Sequence, residues 1–467
     1  MIARFCRAAG WRIVAWRDGS PSFADYRTLL RQERMSRGEL DALRREKTRR
    51  LVAACLRDVP YYGDLMTAAG IRAETVDGPR DLEVLPLLDK ATIRAHGARM
   101  LNRSADPSTY KPHTTSGSTG MPLDFYRAFD YDNYSNLAAD MRSLRRMGWR
   151  PGDPIARFWS LDKEAPLYPG VTGRMRRQLR RWLSPPQITF NAYASSRADM
   201  AGWITRLREL RPRFLYGYAS VLTLFANYLH HRGERIEGVR GIASTAEALM
   251  PDHRTLLREV FPGSVVIDIY GAREIPGIAS ECRFGTMHIS DDLVHVEHLP
   301  VPDEEGKHRL VVTALDNTLF PFIRYDIGDY GSPRTGPCPC GLVFPSMEWG
   351  VGKILDSFIS PAGKIMYGGW FEGLMYRVRG VHAYQFRQRA PSDIVLYVVP
   401  TDEFDDASRR HLAGVEEKIR AEFSPEATLR VEHVASIPLT PAGKHRFVVS
   451  DVRNPVLQPQ GDRPAAG

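Results

Sequence analysis

The chain has 467 residues, 43% of them apolar and 25% charged, which is an ordinary globular composition with more chain than a single hydrophobic core covers. That composition excludes a chain without a packed core, and no stretch reaches the ~18–20 uninterrupted apolar residues that a membrane-spanning helix needs. With 64 Lys and Arg against 55 Asp and Glu the net charge is +9, compatible with anionic substrates, nucleic acid or a membrane surface.

The opening MIARFCRAAGWRIVAWR is broken by arginine too early for a secretory signal and lacks a small-residue cleavage site. It reads as a packing helix or as a short basic helix resting on a membrane, so membrane contact is at most peripheral. Residues 22–105 predict helices: Leu51, Ala54, Cys55 and Leu56 recur at helical spacing until Asp58-Val59-Pro60 ends the run. From about 108 to 345, β-branched runs such as Ile242–Thr245 and Val265–Tyr270 alternate with helical stretches at 200–210 and 251–260. This alternation predicts an α/β fold with largely parallel sheet. The basic stretch RMRRQLRR (174–181) reads as a solvated helix face, 214–229 as one buried helix, and Leu310–Leu315 and Phe322–Tyr325 as closing strands. Beyond Gly350-Val351-Gly352-Lys353 a small α+β region is expected, with strands at 392–399 and 428–434 around a helix at 406–423. The predicted division is a large domain over 1–351 with a helical start (1–105), a small domain over 352–452 and a disordered tail from 453 to 467. Five unevenly spaced cysteines suggest no disulfide framework and place the protein in the reducing cytoplasm.

Several motifs carry chemistry. HTTSGSTGMP (113–122) sits between two predicted strands, and Ser116, Gly117, Ser118, Thr119 and Gly120 offer bendable backbone and N–H groups. It is no Walker loop; taken alone it is either a polar linker or an anion-binding turn. Tyr270-Gly271-Ala272-Arg273-Glu274 follows a strand, where ligands of α/β sheets usually bind. Its ring offers stacking and its carboxylate a Mg²⁺ ligand, although a strand-ending turn with a surface ion pair would look the same. Arg324-Tyr325-Asp326-Ile327-Gly328-Asp329 places an acid beyond another strand, suited to ribose hydroxyls. Leu439-Thr440-Pro441-Ala442-Gly443-Lys444 is a tight turn presenting one lysine. Separately, Cys282, His288, Cys338 and Cys340 form a three-cysteine, one-histidine set that would fill a tetrahedral structural Zn²⁺ site.

In this order the motifs, with RLVAACLRDVPYYGDLMTAAGI, LPLLDKATIR and SIPLTPAGKHRFVVS, resemble the adenylate-forming superfamily that includes acyl-CoA synthetases. More closely, nearly the whole chain resembles the phenylacetate–CoA ligase family, particularly its capsular-polysaccharide-associated (CapK-like) branch. The resemblance implies a large α/β adenylate-forming domain with a small mobile C-terminal domain. It also implies a reaction in which a small carboxylic acid attacks the α-phosphate of ATP, giving acyl-AMP and pyrophosphate before an acceptor takes the acyl group. Carried over by motif, Ser116–Gly120 would hold phosphates, Thr245, Ala246 and Glu247 would lie against the adenine, and Tyr270 with Gly271 would flank it. Glu274 would bind Mg²⁺, Asp329 the ribose, and Lys444 the charge developing between carboxylate and α-phosphate. Gly352-Lys353-Ile354-Leu355-Asp356 matches the family's joint, with Asp356 as hinge and Lys353 where the family has arginine. Met121 stands where a lysine often ends the phosphate loop. The same four zinc positions are supported.

The acceptor is expected to be a thiol such as CoA, with an amine or sugar-linked amino group as the rival within enzymes. A catalytically idle nucleotide-binding scaffold is the rival outside them. Retention of Glu274, Asp329 and Lys444 argues against idleness, and only the net charge speaks for a nucleic-acid partner, so none is expected.

Overall fold

The computed structural model describes residues 22–115, 123–129, 136–159, 187–192, 197–301, 308–349, 357–375, 378, 380–401, 404–438 and 446–452. These fall into two compact units, one within 1–115, 123–151 and 267–352, the other within 116–122, 152–266 and 353–467.

The first unit begins with the expected helices, Ser22–Gln32, Arg37–Asp58, Pro60–Ala68 and Lys90–Met100. Ser36 and Glu39 form a capping box at the second, and Asp89 accepts the Thr92 N–H at the fourth. Pro60 ends the long helix and opens the next at its first turn, where a missing N–H costs nothing. Strands Tyr110–Thr115 and Leu123–Ala128 form an antiparallel hairpin, with Thr115 opposite Leu123, so the glycine-rich run joins two paired strands as expected. Helix Asn136–Arg146 follows. The remaining strands stand in the order 265–270, 279–281, 287–289, 346–349, 325–334, 308–314, 294–300. Neighbours in this order pair antiparallel.

The second unit holds the parallel part of the expectation. Gly241–Thr245, Phe214–Tyr218, Ile155–Trp159 and Gln187–Asn191 lie side by side, all parallel, with helices Arg197–Leu210, Ala219–His231 and Pro251–Val260. The expectation of largely parallel sheet therefore holds only up to Val265–Tyr270. Beyond it the links are too short for crossover helices, and the chain returns by turns.

Two local readings change. Residues 214–229 are not one helix: Phe214–Tyr218 is a strand, and the helix starts at Ala219. Gly217 explains the break, because a Cβ there would lie 2.6 Å from the Phe158 Cβ on the neighbouring strand. Phe322 also lies outside any strand; the strand begins at Tyr325.

Within the same unit the C-terminal region has a four-stranded sheet, Thr428–His433, Asp393–Pro400, Val381–Ala390 and Val448–Ser450, antiparallel only between its two central strands. Helix Asp406–Lys418 continues as a wider turn over Ile419–Phe423, close to the expected 406–423. Among the described residues no helix is long and apolar enough to cross a membrane.

Charged groups tie the first unit's long helix to the strand Val294–Pro300. Arg44 contacts the Asp291 carboxylate, and Lys47 donates to Asp316 at 2.5 Å. Arg44 also donates to Nδ1 of the buried His295, whose Nε2–H donates to Glu83 at 3.1 Å. Burial, then the Arg44 charge, push this imidazole down from 6.5 to about 4. A base with a depressed folded pKa contributes stability above its unfolded pKa and loses it as pH falls through the folded one. The urea midpoint should therefore fall from pH 6.5 towards 4, and His295→Gln should flatten that segment; an unchanged profile in the variant would refute this role.

Candidate functional site

Two constellations form in the first unit. The first starts at the carboxyl end of Val265–Tyr270. Gly271 is required there, because a Cβ would lie 2.8 Å from the Gly277 backbone nitrogen as the loop closes through the Ala272 N–H to Ile275 carbonyl bond. That closure leaves Glu274 buried, with Oε1 accepting from the Tyr325 hydroxyl at 3.0 Å. No other hydrogen bond reaches this carboxylate among the described residues. A carboxylate with an uncommitted oxygen is the donor that a hard divalent cation takes, so Glu274 fits the Mg²⁺ role.

Asp329 is half-buried and accepts from the Tyr270 hydroxyl at 3.0 Å. Burial first, and then the Asp329 charge, push the Tyr270 phenol well above its ordinary range; burial and Glu274 do the same to Tyr325. Both phenols stay protonated and donate at neutral pH. The Tyr270 ring lies in the apolar core, so its hydroxyl is its polar feature at this site. Arg273 donates to the Thr114 carbonyl at 2.9 Å, which ties this loop to the hairpin that carries the glycine-rich run.

The rest of the Arg324–Asp329 motif is scaffolding. Arg324 has a left-handed backbone (φ 53°) and a side chain that grips Glu297 and the carbonyls of Glu83 and Leu85. Gly328, also left-handed at φ 81°, turns the chain while the Asp326 carboxylate accepts its N–H. Tyr325, quoted in the motif but assigned no task from sequence, is the residue that holds Glu274.

In the second unit, Thr245-Ala246-Glu247 closes the strand Gly241–Thr245. Ala246 is left-handed at φ 68°, a conformation that costs a residue with a Cβ and that clusters at functional sites. Glu247 Oε2 accepts the Ser220 N–H at 2.8 Å, capping the helix Ala219–His231, whose N-cap residue Tyr218 makes no capping bond with its side chain. Ser116–Gly120, Lys353, Asp356 and Lys444 lie outside the described residues.

The second constellation gathers Cys282, His288, Cys338 and Cys340, whose ligand atoms all lie within 4.8 Å of one another. Two tight turns present the cysteines. The Gly285 N–H bonds the Cys282 carbonyl and the Gly341 N–H that of Cys338, with both glycines left-handed (φ 78° and 77°). His288 lies on the strand Met287–Ile289 opposite Ser346. Its Nδ1 must carry the proton, since it lies 3.2 Å from the Phe344 carbonyl, which only accepts. The Nε2 lone pair then faces the Cys340 sulfur at 3.2 Å, and the Cys282 and Cys338 sulfurs are 3.6 Å apart. Burial holds the imidazole pKa down and the ring neutral. At Cys338 burial raises the thiol, but hydrogen bonds with Thr286, Cys340 and Cys282 outweigh it and bring it to about 7. The set fits a four-ligand zinc with an orienting carbonyl behind the histidine.

A protein-family model described as the CapK C-terminal domain matches residues 358–451. The chain is 27% identical to a phenylacetate-coenzyme A ligase of Thermus thermophilus over 342 residues, 70% of this chain and 73% of that one. It is 21% identical to protein CapK of Staphylococcus aureus, over 84% of this chain and 85% of the relative. A solved 2-hydroxyisobutyryl-CoA ligase, in complex with 2-HIB-AMP and CoA, superposes with a TM-score of 0.58 at 21% identity, covering 90% of this chain and 91% of that one. Motif order, fold and relatives point the same way: over most of its length the chain is similar to a phenylacetate-coenzyme A ligase and to protein CapK, and its residues 358–451 match the CapK C-terminal domain.

Proposed function

We propose that the protein is an ATP-dependent, AMP-forming carboxylate ligase that makes an acyl-adenylate, releases pyrophosphate and passes the acyl group to a thiol such as CoA. The observation that carries the reading is the pairing of Glu274, one of whose oxygens is uncommitted among the described residues, and Asp329, each held by the other motif's tyrosine. Glu274 would hold Mg²⁺, which when bound offsets phosphate charge, and Asp329 would accept the ribose hydroxyls. Lys444 would supply positive charge where the carboxylate meets the α-phosphate. Such a site works by positioning and electrostatics, with no covalent bond to the protein. The relative's name, phenylacetate-coenzyme A ligase, supports a CoA acceptor.

A second acceptor class, an amine or sugar-linked amino group in polysaccharide assembly, is what the resemblance to the capsular-polysaccharide-associated branch implies, and residues 358–451 match the CapK C-terminal domain. The test is ATP–pyrophosphate exchange over aryl, fatty and amino acids, followed by acceptor trials with CoA and with amino sugars. Acid-dependent exchange is expected; its absence across the panel, with ATP bound, would leave the idle-scaffold reading standing.

A further inference from the structure

The two motifs share a spacing that chain order hides. Each puts a tyrosine four residues before a carboxylate, Tyr270 before Glu274 and Tyr325 before Asp329. In the fold the partners cross: the Tyr325 hydroxyl bonds Glu274 and the Tyr270 hydroxyl bonds Asp329, both at 3.0 Å. We propose that this crossed pair is a latch, in which Tyr325 and Tyr270 are positioning residues that fix the magnesium-binding and ribose-binding carboxylates relative to each other. The proposal rests on the ligase reading and deepens it.

A buried phenol needs an acceptor, and a backbone carbonyl would satisfy it. Here both phenols take carboxylates instead, which gives stronger, charge-assisted bonds and spends one acceptor site on each acid. The tyrosines are themselves anchored. Tyr325 is fully buried and lies opposite Val312 in the sheet, and Leu88 bonds the backbone on both sides of it, donating to the Arg324 carbonyl and accepting the Asp326 N–H. Tyr270 lies opposite Ala279. A rigid backbone behind each donor transmits its position to the carboxylate. The latch thus sets the span between the phosphate end and the ribose end of one nucleotide, and a crossed arrangement prevents either acid from moving without its partner motif.

Tyr→Phe removes each hydroxyl and keeps the ring. Removing a group that orients a metal ligand typically weakens metal affinity about 10- to 100-fold. Tyr325→Phe should therefore raise the Mg²⁺ concentration for half-maximal ATP–pyrophosphate exchange about tenfold or more, with little change in the ATP KM at saturating Mg²⁺. Tyr270→Phe should do the reverse, raising the ATP KM and leaving the Mg²⁺ dependence in place. Lower melting temperatures with both constants unchanged would make the tyrosines merely structural and overturn the latch. Should Tyr325→Phe fail to fold, 3-fluorotyrosine at position 325 keeps the test. Its fluorine resonance should move on adding MgATP and not on adding ATP with EDTA, and a resonance that stays put overturns the proposal. Wild-type protein that binds no MgATP by calorimetry would overturn the ligase reading itself. A binding wild type with two unaffected variants would overturn the latch alone.

Discussion

Lys444→Ala is expected to lose acyl-adenylate formation roughly 10²- to 10³-fold, the range for deleting one contact to charge that develops in the transition state. The same variant should transfer the acyl group from supplied acyl-AMP to the acceptor at close to the wild-type rate. The asymmetry follows from the chemistry. In the first half-reaction a carboxylate approaches the polyanionic phosphate chain, and a fixed ammonium lowers the cost of bringing like charges together. In the second half-reaction, on the proposed reading, the small domain would have turned and carried Lys444 away before the acceptor arrives, so the lysine would take no part in it. If Asp356 is the hinge, Asp356→Pro would stiffen it and should impair one half-reaction far more than the other. Rapid-quench assays with and without added acyl-AMP separate the steps, and equal loss of both in folded Lys444→Ala protein would remove the lysine from this role.

Purified protein is expected to carry about one tightly bound zinc per chain, and its removal should cost far more stability than any single side chain, because a structural zinc can contribute on the order of 10 kcal/mol. The four candidate ligands come from a turn at Cys282, a strand residue, His288, and a second turn at Cys338–Cys340, so a bound zinc would close the chain between them. Without the ion, three sulfurs and an imidazole nitrogen crowd together, and deprotonating the thiols would set like charges side by side. Cys338→Ser should lose most of the zinc and unfold at lower denaturant, whereas Cys55→Ser should keep its zinc, since Cys55 is buried in the apolar core away from the cluster. Elemental analysis and chelator titration decide it. Zinc-free protein of wild-type stability would end the assignment.

Much of this could be read from sequence where the signal is local. Ser36 with Glu39, Asp89 and Pro60 mark helix ends through their own backbone needs, and the spacing of the cysteines and His288 is a ligand pattern in itself. Two strands of the small C-terminal sheet, Asp393–Pro400 and Thr428–His433, and its helix appear within a residue or two of the expected bounds, whereas the central strand Val381–Ala390, the edge strand Val448–Ser450 and the hairpin over 357–367 lie outside the expected elements. What stayed hidden depends on neighbours distant in the chain. Gly217 splits an apolar run into strand and helix only because Phe158 lies against it. The turn from parallel to antiparallel sheet after Tyr270 depends on which strands find each other, and hydrophobic alternation is the same for both. Glu247 caps a helix that starts well before it in sequence, and the bond from Tyr325 to Glu274 joins two motifs that periodicity treats separately.

On the proposed reading the acid attacks the α-phosphate of ATP. The most direct measurement uses an accepted acid labelled with ¹⁸O in both carboxylate oxygens, with the AMP and the acyl product analysed by mass spectrometry after one turnover. Attack at the α-phosphate leaves one ¹⁸O in the phosphate of AMP and one in the acyl product. Label in inorganic phosphate with ADP formed, or AMP without label, would contradict the account.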